Sequence, residues 1–237
     1  MSREDGRRPD QLRPVVADPR FLEQPHGVVL WSQGRTRVLC TASVEEGVPR
    51  WLYRSGRGWV TAEYSLLPAS TGERTQREAS AGKQKGRTVE IQRLIGRALR
   101  SVADMEALGE RTLWLDCDVL QADGGTRCAA ISGAWVAAAR ALGKAGLSRA
   151  LPDSVAAVSL GIVDGELLLD LDYEEDSSAE VDLNLVMTAS ERLVEVQATA
   201  ERAPFDRDAL NELLDLGAAG IAEIRAAQET ALDAAAG

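Results

Sequence analysis

Leu113, Leu115, Cys117 and Val119 alternate with Trp114, Asp116 and Asp118. A period of two predicts a strand with one buried face. Asp123, Gly124 and Gly125 break the alternation. Residues 128–142 are then mostly alanine, with Ile131, Trp135 and Val136, a composition that favours helix. The chain is organised around this strand, glycine turn and helix. Upstream, residues 28–31 and 38–42 flank Gln33 and Gly34 and predict a hairpin. Residues 59–64 predict a further strand, stopped by Pro68. Residues 70–87 are polar and aperiodic, a loop long enough to point to function. A helix follows from residue 88 to about 103, with Ile91, Leu94, Ile95, Ala98, Leu99 and Val102 in one apolar stripe. Arg93, Arg97 and Arg100 recur on its opposite face.

Downstream, residues 155–162 and 166–172 flank Asp164 and Gly165, a strong hairpin signal. Residues 181–187 and 193–198 predict two more strands. Asp206 is placed to cap a last helix reaching about residue 234, with Leu210, Leu213, Leu214, Gly217, Ile221 and Ile224 on one face. Residues 1–14, rich in arginine and with two prolines, predict an extended arm with a disordered tip. Hairpins followed by a helix occur in both halves, which hints at duplication, although no residue repeat is evident. No linker divides the halves, so the expectation is one α+β domain over residues 1–237.

Composition narrows the chemistry. The 237 residues are 45% hydrophobic, enough for a substantial core, and no apolar run approaches a membrane span. The charged start without an apolar segment points to the cytoplasm. Cys40, Cys117 and Cys128 lack metal-ligand spacing and are expected as reduced thiols. His26 is the only histidine, which excludes a two-histidine metal site and argues against a Ser-His-Asp or Cys-His nucleophile. The net charge of −10 hides an asymmetry, because basic groups crowd residues 74–100 while the second half is acidic. A polyanion would seek that basic segment, which includes Arg74, Arg77, Lys83, Lys85 and Arg87.

Two constellations carry the chemistry. The first is the glycine turn with Thr126 and Arg127. A helix start offers free N–H groups and a positive dipole end, glycines allow close approach, and the arginine adds a cation. Such a place fits an oxyanion such as phosphate, although a plain connecting turn has the same glycines. The second is acidic. Asp170, Asp172, Glu174, Glu175 and Asp176 precede a strand that carries Asp182 and Asn184 on one face. Asp176 can converge with Asp182, and two facing carboxylates need a proton or a cation between them. Oxygen ligands without His or Cys suit magnesium, whereas most acidic runs are simply surface.

These stretches together resemble the ribonuclease PH family, phosphate-dependent 3′-exoribonucleases of tRNA maturation. The resemblance is carried by residues 3–13, 58–64 with Leu67-Pro68, 86–97, 116–127 and 172–184. It implies a fold like the second domain of ribosomal protein S5 and a homohexameric ring built as a trimer of dimers. It implies phosphate held by Arg87, Gly125, Thr126 and Arg127, and magnesium or proton transfer at Asp176 and Asp182. RNA is then gripped by Arg74 and Arg77, with Arg93 and Arg97 adding a basic helix face, and tRNA precursors are the expected substrate. The family usually has arginine after Leu-Pro, where this chain has Ala69. Two other readings stay open: a non-catalytic RNA-binding ring subunit of the exosome type, and a hydrolytic metal-dependent nuclease.

Overall fold

The computed structural model describes residues 3–202 and 204–236. Its first half contains strands β1 (Val15–Asp18), β2 (Gly27–Gln33), β3 (Thr36–Glu46) and β4 (Trp59–Leu66). Helices α1 (Glu78–Ala81), α2 (Gly86–Ser101) and α3 (Met105–Leu108), strand β5 (Arg111–Gln121) and helix α4 (Thr126–Lys144) follow. The second half contains β6 (Val155–Val163), β7 (Glu166–Leu169), α5 (Tyr173–Ser178), β8 (Val181–Thr188), β9 (Leu193–Ala200) and α6 (Arg207–Ala236). The strands form a five-stranded sheet in the order β1-β2-β3-β5-β4 and a four-stranded sheet in the order β7-β6-β8-β9. The chain therefore has the expected α+β composition, with helices packed on mixed sheets.

Alternation along each strand decides which helix it meets. In β5, Leu113, Leu115, Cys117 and Val119 are buried, while Asp116 and Asp118 are only half-buried on the outer face. The buried face meets α4, which also packs against β6 of the second sheet. Because α4 lies between the two sheets, it is apolar nearly all round, as a core helix must be. Its alanines and Gly133 admit neighbours at short range: a Cβ on Gly133 would lie 2.7 Å from Cys40 Sγ. The approach is closer still at Gly27 in β2, where a Cβ would lie 1.9 Å from the Ala137 carbonyl oxygen. The main apolar cluster draws residues from both sheets.

All neighbouring strands are antiparallel except β4 and β5, which α2 joins by a crossover. Parallel pairing puts the C-terminal ends of β4 and β5 at the same edge. The basic loop that follows β4 and the glycine turn that follows β5 consequently share one end of the sheet. Backbone bonds from Ala122 N–H to the Ser70 carbonyl (2.8 Å) and from Leu67 N–H to the Val119 carbonyl (3.0 Å) fasten them together. The loop holds one helical turn, α1. Its Glu78 accepts from Thr88 Oγ1 at 2.7 Å and from Lys85 N–H at 3.2 Å, covering the start of α2.

Several sequence expectations are corrected. Residues 3–14 form no helix or strand, and this extended segment is clamped to the body, where Arg3, Arg7, Leu12 and Arg13 are all buried. The tip at residues 1–2 lies outside the described residues. Strand β7 stops at Leu169 and not at residue 172, since Asp170 takes a left-handed conformation (φ 56°) that ends the ladder. Arg100 leaves the exposed face of α2. Its guanidinium stacks 4.6 Å from the Trp59 ring and donates to the Val60 carbonyl. As expected, Asp206 caps α6 by accepting from Ala209 N–H at 2.8 Å, and Asp164 and Gly165 both take positive φ in the hairpin turn. All three cysteines are buried and free.

Candidate active site

At the end of β5 the chain must reverse into α4 within four residues. Gly124 (φ 74°) and Gly125 (φ 64°) do this in the left-handed region, and Gly125 is the residue before the first turn of α4. Size matters as much as angle at Gly124, where a Cβ would lie 2.5 Å from the Leu171 carbonyl oxygen. Gly125 supplies no side-chain cap, so the first-turn amides have no side-chain acceptor at that position. Thr36 fixes the turn from outside: its Oγ1 donates to the Gly124 carbonyl (2.7 Å) and accepts from Asp123 N–H (3.0 Å). Tyr64 Oη donates to Thr126 Oγ1 at 2.9 Å and fixes that hydroxyl.

Arg127 projects from this first turn toward β9. It donates to Gln197 Oε1, and Glu90 of α2 lies 3.6 Å away. Gln197 in turn donates to Glu90 at 3.0 Å, so one amide and one carboxylate orient the guanidinium. Opposite, β8 turns Asp182 and Asn184 to the same side. Asn184 Nδ2 donates to Asp182 at 3.3 Å, and its Oδ1 accepts from Cys128 Sγ at 3.3 Å. Asp176 arrives from α5, whose start is a capping box between Asp172 and Glu175.

The electrostatics bind these groups into one site. Burial first and the charge of Asp176 second push the Asp182 carboxyl up to about 6, against the pull of Arg127 and Arg87. Asp176 is also raised, first by burial, while Arg87, Arg127 and Arg13 oppose the rise. Arg87, Arg127, Asp176 and Asp182 therefore lie within electrostatic reach of one another, beside the residue 124–127 turn. Burial raises the Tyr64 phenol, and that of the Cys128 thiol is raised by the same cause beyond any role as a thiolate.

The other arginines stand apart from this cluster. Arg74, Arg77 and Arg93 are exposed. Arg77 lines a neighbouring cleft of about 540 Å³ with Glu63, Lys83, Asp116 and Asp118. Arg97 is paired with Glu195 of β9. Ala69 is exposed beside this loop. Among the described residues no group of three or more His, Cys, Asp or Glu could hold a metal. Two raised, facing carboxylates still suit one magnesium ion that keeps most of its water, because a cation would relieve their repulsion. Sequence reasoning missed Tyr64, Glu90, Gln197 and the buried Arg13. Their type carries no signal, and each acts through a contact distant along the chain.

A helix start that gathers cations, set against two carboxylates raised by burial, makes a site whose charge suits an anionic ligand. Comparison with known families makes this more specific. The model of the 3′ exoribonuclease family, domain 1, matches residues 11–142, and that of its domain 2 matches residues 153–220. The chain belongs to this family. It is 57% identical over 239 residues to the ribonuclease PH of Moorella thermoacetica, covering 98% of this chain and 95% of that one. It is 57% identical over 228 residues to the ribonuclease PH of Bacillus subtilis, covering 94% and 93%. Among solved structures it resembles rice Rrp46 (TM-score 0.78, 22% identity, 97% and 100% covered). It also resembles a chain of the Archaeoglobus fulgidus exosome with RNA bound to the active site (TM-score 0.78, 24% identity, 94% and 91% covered). At such identities these structures speak for the fold alone.

Proposed function

We propose that the protein is a phosphorolytic 3′-to-5′ exoribonuclease that trims tRNA precursors, as ribonuclease PH does. The near-full-length similarity to ribonuclease PH supports the activity. The observation that carries the mechanism is the convergence of Arg87, Arg127, Asp176 and Asp182 on the start of α4. In this reading the amides of residues 125–127, the Thr126 hydroxyl, Arg127 and Arg87 hold inorganic phosphate. Tyr64 fixes the hydroxyl and Gln197 fixes the guanidinium. A phosphate oxygen attacks the phosphorus of the last phosphodiester in line. The bond to the 3′ oxygen of the preceding nucleotide breaks, that oxygen takes up a proton, and the terminal residue leaves as a nucleoside diphosphate. Run backwards, the same step adds nucleotides.

Positioning and charge neutralisation supply most of the rate in such phosphoryl transfers. Asp176 and Asp182 would hold magnesium, which when bound offsets negative charge on the reacting phosphates. The exposed Arg74, Arg77 and Arg93 would meet RNA phosphates, and Arg97 would join them on release from Glu195. The working form is a homohexameric ring, a trimer of dimers. No helix among the described residues is long and apolar enough to cross a membrane, and the cytoplasm is the proposed location. The exosome likeness, below 25% identity, gives no specific support to a non-catalytic ring subunit.

The test is incubation of a tRNA precursor with and without inorganic phosphate, followed by identification of the mononucleotide. Nucleoside diphosphate formed only with phosphate is the expected result. Monophosphate released without added phosphate would establish hydrolysis instead.

A further inference from the structure

Arg13 is a buried cation with no place in the reaction as described above. It is 4% exposed, and nearly every donor is engaged. Its backbone N–H donates to Asp170 Oδ2 at 2.8 Å, Nε to the same oxygen at 3.0 Å, and Nη2 to Oδ1 at 2.6 Å. The other edge of the guanidinium faces the glycine turn. Nη1 donates to the Asp123 carbonyl, and Nη2 reaches the Gly124 carbonyl at 3.5 Å. Gly125 rests directly on this group: a Cβ there would meet Arg13 Nη2 at 3.1 Å and the buried Ser159 Oγ at 3.2 Å. Asp170 is fully buried and belongs to the segment between β7 and α5. The same segment is held by Arg3, which donates to the Leu169 carbonyl (2.8 Å) and the Asp170 carbonyl (3.0 Å) and forks onto Glu175. Arg7 donates to the Asp170 carbonyl at 3.0 Å. Glu175 is part of the capping box of α5, the helix that brings Asp176 to the site.

We infer that Arg13 and Asp170 are a positioning pair that sets the glycine turn against the acidic helix, so that Gly125 and Arg127 stand at a fixed place relative to Asp176. The inference rests on the phosphate site proposed above. A planar guanidinium can serve a carboxylate on one edge and two carbonyls on the other, whereas an ammonium cannot span both. Geometry at a reacting phosphate is sensitive to displacements of about 1 Å. Losing the fork should therefore disturb phosphate before it disturbs RNA, whose proposed arginines lie on other elements.

The experiment compares Arg13→Lys, which keeps the charge beside Asp170, with wild type and with Arg127→Ala. The readouts are KM for phosphate, KM for RNA, kcat and the melting temperature. For Arg13→Lys the expected result is a rise of about tenfold or more in phosphate KM with an RNA KM within about twofold. Equal loss in both constants, or no loss in either, would overturn the inference. Should Arg127→Ala itself leave phosphate KM unchanged, the phosphate site is wrong and the inference goes with it. If only Arg13→Lys is silent, the site stands and the inference fails. If Arg13→Lys does not fold, hydrogen exchange on the wild-type protein decides. Phosphate should then slow exchange both in residues 124–128 and in residues 8–13 and 170–172, and protection confined to the turn would refute the pairing.

Discussion

At the scale of single residues, Asp182 is the most unfavourably placed charge in the site. Its ordinary value of 3.8 is raised to about 6 by burial and by Asp176. A carboxyl whose folded value lies above its unfolded value stabilises the native state most below about pH 4. That contribution is lost as the pH rises through about 6. Without divalent metal, wild type should thus lose stability relative to Asp182→Asn between pH 4 and 7.5, by about 1–3 kcal/mol. Thermal melts in a chelating buffer check this, with the variant melting higher at pH 7.5 and the difference shrinking toward pH 4. The same variant should lose phosphorolysis at every pH while keeping RNA and phosphate binding. A melting difference independent of pH would mean that Asp182 is not under strain.

At the scale of elements, β5, the glycine turn and α4 were legible because each is announced within a few residues, by period, glycine pair or alanine run. The capping of α6 by Asp206 and the turn at Asp164-Gly165 were readable for the same reason. Contacts between distant parts were not. Arg13 meets Asp170 across 157 residues, and Arg127 meets Gln197 across 70. Nothing local distinguishes Arg13 from the exposed Arg8, or Arg100 on Trp59 from Arg93 in solvent. The burial of the N-terminal segment was missed on these grounds. The close crossing of β2 and α4 was equally invisible, and it gives a sharp prediction. Gly27→Ala puts a methyl group against the Ala137 and Ala141 backbone, which cannot swing aside. It should cost about 3 kcal/mol or more of stability. Gly86→Ala, with open space around it, should change stability by less than about 1 kcal/mol. Urea titrations of the two variants compare them directly.

At the scale of the whole molecule, the charge pattern gives the proposed ring a physical purpose. One chain carries −10, and its basic loop stands in open water, where salt screens phosphate contacts. Closing subunits around a centre would gather several such loops and raise the local positive potential. Light scattering should find a hexamer, and tRNA binding should weaken steeply, by about a thousandfold between 50 and 200 mM salt if some six phosphates are contacted. A monomer fully active on tRNA would end the ring proposal. The span between Arg13 and Asp170 also sets the order of events at the ribosome. The arginines of the N-terminal segment emerge first, yet their acidic partner is made 157 residues later. At roughly 5–20 residues per second that wait is on the order of 8 to 30 s. Until then Arg13 lacks the carboxylate that holds it against the glycine turn, and α5 has not been synthesised at all. Throughout that wait the nascent chain also lacks Asp176 and Asp182, the acidic half of the proposed site.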